Sequence, residues 1–120
     1  NKCWEVYTEN GRQSTGIDVT EWAIEGQKRE AGEILLTSID YEGTRKGFDY
    51  ELIESITNKL SIPVIASGGM GSVDHVKILA EKCKPDAIAM ADVLHYERLT
   101  MNEIRKSCIE YNIDVRKYEK

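Results

Sequence analysis

The run Ile62-Pro63-Val64-Ile65 breaks into Ala66-Ser67-Gly68-Gly69-Met70-Gly71, and Ser72 then opens an apolar pattern of helical period. A β-branched strand that ends in glycines and turns straight into a helix is the unit of parallel α/β proteins. Its turn presents backbone N–H groups to a phosphate. A chain built around such a unit lays βα segments on a parallel sheet, and a phosphorylated small molecule is the first ligand to consider. Taken alone, the glycines are also accounted for by a tight turn that needs positive φ.

The rest of the chain follows the same grammar. Trp4 to Thr8 alternates, Asn10-Gly11 supplies the residues of a type I′ turn, and the chain returns through Arg12 to Thr15, which predicts a hairpin within residues 1–16. Asp18 with Glu21 reads as a capping box for a helix that buries Trp22 and Ala23 and ends between Arg29 and Gly32. A strand from Glu33 to Ile39 follows. Asp49 caps a helix with Leu52, Ile53, Ile56 and Leu60 on one face, and Pro63 to Ser67 is the next strand. Ser72 starts a third helix carrying Val73, Val76, Leu79 or Ala80, and Cys83 on its apolar side. Asp86 to Ala91 is a third strand, apolar throughout as in a sheet covered by helices on both faces. Thr100 with Glu103 is a second capping box, before a helix striped by Met101, Ile104, Cys108 and Tyr111. Three strands leave two open sheet edges, which invite pairing with another chain. The chain opens at Asn1 with no initiating Met, and the pattern fits a segment of a larger barrel better than a complete one.

Composition narrows the partners. With 41% apolar and 31% charged residues among 120, the chain reads as an ordinary soluble, cytoplasmic globular protein. No apolar run approaches the roughly 20 residues of a membrane span, and no targeting pattern opens the sequence. A net charge of −5, with Lys and Arg scattered, argues against nucleic acid. Cys3, Cys83 and Cys108 lack disulfide or zinc spacing and read as buried or half-buried thiols. No cofactor or metal site is indicated.

Gly32-Glu33-Ile34-Leu35-Leu36-Thr37-Ser38-Ile39-Asp40, then Gly43-Thr44, Gly47-Phe48-Asp49, Ile65-Ala66-Ser67-Gly68-Gly69 and Leu94-His95-Tyr96 resemble the C-terminal half of the imidazole glycerol phosphate synthase cyclase-subunit family. The likeness runs in order from about Thr15 to Arg116. It implies a (β/α)₈ barrel whose sixth, seventh and eighth strands are present here, with the hairpin as an excursion after the fifth. It also implies an enzyme of histidine biosynthesis that takes ammonia from a glutaminase subunit. The family converts a bis-phosphorylated ribulosyl aminoimidazole carboxamide ribotide into imidazole glycerol phosphate and AICAR.

The resemblance assigns roles residue by residue. Gly68, Gly69 and the backbone at Ala91 and Asp92 match the cradle of one substrate phosphate, formed by the loops after strands seven and eight. Thr37, at the carboxyl end of the sixth strand, matches a residue of the substrate channel. Glu33, at the opposite end, matches a member of the charged ring through which ammonia enters; by itself it is an exposed Glu at a strand start. The family's two essential aspartates belong to the first and fifth strands, upstream of Asn1, so the segment alone is expected to bind weakly and not turn over. Glu42 matches an accessory carboxylate that is usually Asp in the family. Asp92 stands where the family has Ser, and a carboxylate facing a phosphate dianion repels it unless it points away.

The remaining polar residues have plainer readings. His75 reads as a solvated surface residue, His95 as a packing or hydrogen-bonding residue of its turn, and Lys77, Glu81 and Lys82 as a solvated helix face. Trp22 reads as core. Glu42 and Asp92 keep open a paralogous barrel that delivers ammonia in amidino-sugar formation for surface polysaccharides. The absent strands keep open a non-catalytic phosphate-binding or interaction segment. In either case the expected neighbours are the missing N-terminal half of the barrel or a second copy of the chain.

Overall fold

Four helices of the chain start where a short polar side chain can accept from the first-turn backbone, and those starts order everything between them. The computed structural model describes residues 2–117. Residue 1 and residues 118–120, which fall in the expected segments 1–16 and 17–120, lie outside the described residues. Asp18 accepts from the Glu21 N–H at 3.0 Å and opens α1 (Val19–Lys28). Asp49 accepts from Leu52 at 3.1 Å and opens α2 (Tyr50–Thr57). Ser72 precedes α3 (Val73–Lys82), and Thr100 forms a reciprocal capping box with Glu103 ahead of α5 (Met101–Glu110). A short helix after the last strand, α4 (Asp92–His95), has too few residues to show a period in sequence.

Before α1, β1 (Glu5–Thr8) and β2 (Gln13–Asp18) pair antiparallel, so the hairpin continues to Asp18. Its turn differs from a two-residue type I′ connection. Thr8 pairs with Gln13, and Glu9, Asn10 and Gly11 all adopt positive φ in a four-residue loop. The left-handed Glu9 cannot continue the strand, which lengthens the turn. The tip also lies against the loop after β3, where a Cβ on Gly11 would sit 3.1 Å from Ile39 Cγ2.

The central strands are β3 (Ile34–Thr37), β4 (Val64–Ser67) and β5 (Ala87–Ala89), adjacent in that order and parallel throughout. Each lies inside its expected range and is shorter at both ends or at one. The register aligns Leu35, Ile65 and Ala87 in one row and Thr37, Ser67 and Ala89 in the next. Because side chains alternate across a strand, these two rows share one face, while Leu36, Val64, Ala66 and Ile88 point to the other. The second face is the covered one: Leu36, Val64 and Ala66 pack with Phe48, Leu52, Ile53, Ile56, Val76 and Leu79 in the buried core. On the first face Leu35 is 62% exposed. A parallel sheet ordinarily buries both faces. Here the face that a closed barrel would fill is open, and β3 and β5 each lack an outer neighbour among the described residues.

Two lesser expectations change. Trp22 is 52% exposed rather than core, because it lines the open groove between the hairpin and β3. Cys83 and Cys108 are buried, but Cys3, just before the hairpin, is exposed. Among the described residues no helix is long and apolar enough to cross a membrane, and no group of three or more His, Cys, Asp or Glu side chains could hold a metal ion.

Candidate functional site

The carboxyl ends of all three parallel strands open on one side of the sheet, and their loops meet there. Ser67-Gly68-Gly69-Met70 after β4, Ala89-Met90-Ala91-Asp92 at and after β5, and Glu42-Gly43 after β3 line a cleft of about 120 Å³. This is smaller than the about 300–1,000 Å³ of a pocket for a whole ligand. A phosphoryl-sized group suits it better than an entire bis-phosphorylated sugar.

Backbone geometry makes the glycines obligatory. Gly68 and Gly69 adopt φ of +100° and +103°, a region that L side chains rarely enter. A Cβ on Gly69 would also lie 1.9 Å from the Gly47 carbonyl oxygen, and one on Gly71 would lie 2.1 Å from that of Arg45. The Gly47 N–H donates to the Gly69 carbonyl at 2.8 Å. The loop after β3 is therefore laid backbone to backbone on the loop after β4. Close approach between two loops is a second demand on the glycines, beyond the positive φ of a tight turn.

His75 secures the far end of the glycine loop. Its Nδ1 accepts from the Gly71 N–H at 3.0 Å and from the Ser72 N–H at 3.3 Å. A nitrogen that accepts two N–H groups carries no proton, so the neutral ring is the tautomer with hydrogen on Nε2. The residue is half-buried and structural, which replaces the reading of a solvated surface histidine. The signal was its position three residues after Ser72, where a capping-box partner sits. Nearby, the Tyr50 hydroxyl is buried without a hydrogen-bond partner among the described residues, and burial raises its pKa above the usual phenol value.

Of the residues singled out from sequence, Glu42, Gly68, Gly69, Ala91 and Asp92 come together around the cleft. A Cβ on Gly68 would meet Glu42 Oε2 at 3.3 Å, so the longer Glu side chain folds back over the glycine. Thr37 lies on the open face of the sheet beside Ser67, its register partner, and lines the wider groove toward the hairpin rather than the cleft. Glu33 lines that groove at the amino end of β3, on the order of 13 Å along the strand from Thr37 at about 3.3 Å per residue.

Asp92 is held by a residue that the sequence did not single out. Arg45 donates from Nε to Oδ1 at 2.5 Å and from Nη2 to Oδ2 at 3.3 Å, and its guanidinium stands 5.2 Å over the Tyr96 ring. The hydrogen bond from Arg45 holds the Asp92 carboxyl below the usual carboxylate range, and the same bond raises the Arg45 pKa. The repulsion expected between Asp92 and a phosphate is thus offset by a paired cation. His95 packs edge-on against Tyr96 with ring centroids 4.7 Å apart, and Lys77 stacks over Tyr111 at 4.9 Å instead of standing free in solvent.

Comparison with known proteins fits this geometry. The family described as "Histidine biosynthesis protein" matches residues 1–100. The "Imidazole glycerol phosphate synthase subunit HisF" of Prochlorococcus marinus (strain AS9601) is 45% identical over 116 residues, which cover 97% of this chain and 45% of that protein. The protein of the same description from Thermosynechococcus vestitus (strain NIES-2133 / IAM M-273 / BP-1) is 42% identical over 116 residues, covering 97% of this chain and 41% of its own length. The chain thus spans under half the length of each relative. Its parallel three-stranded sheet, open on the face that a barrel interior would fill, agrees with the TIM-barrel fold of the matched family. The chain belongs to the histidine biosynthesis protein family.

Proposed function

We propose that the chain is part of a cyclase barrel of the imidazole glycerol phosphate synthase type. The reading is carried by one observation: the loops after three consecutive parallel strands converge on a phosphoryl-sized cleft whose floor is Gly68-Gly69, in a chain 45% identical to a synthase subunit over 116 residues. In (β/α)₈ enzymes the loops after the last two strands and a short extra helix form the phosphate site, and α4 is such a helix. One phosphate of the ribulosyl aminoimidazole carboxamide ribotide would rest against the backbone of Gly68, Gly69, Ala91 and Asp92. The sugar would run over the open sheet face past Thr37.

Ammonia would arrive from a glutaminase subunit at the opposite end of the barrel, past Glu33. Ring closure and release of AICAR need a positioned acid and base. Glu42 supplies one carboxylate at the cleft, and the strands that complete the barrel would supply the essential pair. The exposed Leu35 row and the unpaired edges of β3 and β5 support docking of that remaining half, or of a second copy in its absence. The amidino-sugar reading rested on Glu42 and Asp92, and pairing with Arg45 weakens the part that Asp92 carried.

The test is an assay with ammonium and the ribotide substrate. A polypeptide carrying this segment and the complementary strands is expected to release AICAR, and Glu42→Asp to maintain or raise its rate. The 120-residue chain alone is expected to be inert. A complete barrel that is inert here but still activates a glutaminase partner would favour the amidino-sugar paralogue. Inertness in both assays would leave a binding or interaction segment.

A further inference from the structure

Arg45 touches all three loops that build the cleft. It belongs to the loop after β3, where it takes a left-handed φ of +59°. Such a backbone costs a long-chain residue energy and persists where surrounding contacts demand it. Its carbonyl oxygen packs on the backbone of Gly71 in the loop after β4, so closely that only glycine fits. Its side chain crosses to Asp92, the first residue of α4 after β5, and to Tyr96 just behind that helix. The two-pronged contact with Asp92 uses the fork geometry that distinguishes guanidinium from ammonium. The paired side chains are 35% and 17% exposed, less open than the other ion pairs of the described residues.

The charges around the cleft give that contact a purpose. Glu42 and Asp92 both line it, and two unpaired carboxylates there would repel a phosphate dianion. Around Asp92 stand Arg45 from the loop after β3 and His95 and Arg98 from α4 and the segment behind it, with Tyr96 beneath the guanidinium. Arg45 alone of these is hydrogen-bonded to the carboxylate. We propose that Arg45 is a positioning residue for the phosphate cradle: by gripping Asp92 it holds that carboxylate away from the anion and cancels the negative charge at the mouth of the cleft. This rests on the phosphate reading above. Asp92 and Arg45 then act at the cleft as one unit.

The pair can be taken apart with inorganic phosphate as the probe and the full chain as the protein. Arg45→Gln is expected to weaken phosphate binding about tenfold, because it leaves Asp92 unpaired beside the anion. Asp92→Asn alone should bind at least as well as the unaltered chain. The double variant Arg45→Gln/Asp92→Asn should recover to within about threefold of the unaltered chain, since removing the second charge removes the need for the first. If the double variant binds as weakly as Arg45→Gln, Arg45 ligates the anion itself and the positioning role is overturned. The same follows if Arg45→Gln binds normally.

A second readout needs no ligand. The Asp92 carboxyl carbon, followed by NMR, should titrate at higher pH in Arg45→Gln, and a titration that does not move overturns the pairing whatever phosphate does. Should Arg45→Gln fail to fold, Arg45→Lys keeps the charge without the fork and is expected to lose about two- to fourfold in affinity; no loss would count against the proposal. A chain that binds no phosphate, while Asp92 still responds to Arg45→Gln, overturns the phosphate reading and this role together, and leaves the ion pair as a structural link only.

Discussion

Replacing Gly69 by Ala separates two reasons for a glycine. The first is conformational: a φ of +103° is disfavoured for an L residue, at about 1–2 kcal/mol by analogy with left-handed helix. The second is contact, since the new methyl would lie 1.9 Å from the Gly47 oxygen and 2.9 Å from its carbon. Backbone cannot swing aside as a side chain can. The loop after β3 must therefore retreat by about 1 Å, which breaks the 2.8 Å bond from the Gly47 N–H to the Gly69 carbonyl and disturbs Phe48, 1% exposed, at the next position. Overpacking at about 1–3 kcal/mol and a lost hydrogen bond at about 1 kcal/mol bring the expected cost to about 3–6 kcal/mol. Gly43→Ala is the control, because Gly43 has φ +73° and no atom within 4 Å of its added Cβ. It should lose only the conformational part, about 1–2 kcal/mol. Urea unfolding followed by far-ultraviolet circular dichroism, with linear extrapolation, measures both. If the two variants are destabilised equally, the close contact between the loops does not exist and the cleft is built differently.

Four further outcomes follow from the same contacts. His75→Ala removes the acceptor of the Gly71 and Ser72 N–H groups and should cost about 0.5–2 kcal/mol, the range of a lost helix cap, with faster hydrogen exchange at those two amides. Burial raises the thiol pKa values of Cys83 and Cys108, so iodoacetamide at pH 8 should modify Cys3 first and reach the other two only on unfolding; simultaneous labelling would contradict their burial. The lowered carboxyl pKa of Asp92 means that its pairing stabilises the fold fully above the unfolded value near ~3.9 and is lost as pH falls through the lower folded value, so the stability curves of the unaltered chain and Asp92→Asn should converge only in that acid range. Leu35→Asp, on the open sheet face, should shift sedimentation toward monomer, and unchanged association would place the contact elsewhere.

The fold was legible wherever the signal was local. Asp18, Asp49, Ser72 and Thr100 announce helix starts through short-range hydrogen-bonding chemistry, and the structure has a helix after each. The three strands announce themselves as β-branched or apolar runs. What escaped depends on distance in space. Arg45 lies 47 residues from Asp92, and nothing in either neighbourhood names the other. The available hint was electrostatic, since a carboxylate beside an expected phosphate calls for a cation, and Arg45 sits in the glycine-bracketed loop between Gly43 and Gly47. Trp22 was misplaced because helical periodicity gives the angle of a side chain but not what stands opposite it. In a part of a barrel, the element opposite Trp22 is a groove. The hairpin turn shows the same limit, since Asn10-Gly11 permits positive φ while contact with Ile39 helps to set the loop that forms around it.

The central claim is that the meeting point of the three loops receives a phosphoryl group. Amide chemical shifts of the full chain during titration with inorganic phosphate test it most directly. The account predicts that the largest saturable shifts belong to Gly68, Gly69 and Met70 and to Ala91, Asp92 and Val93, with the amides around Glu33 at the other end of β3 unmoved. Shifts spread over the exposed Lys and Arg residues, or centred on the groove beside Trp22, would contradict it.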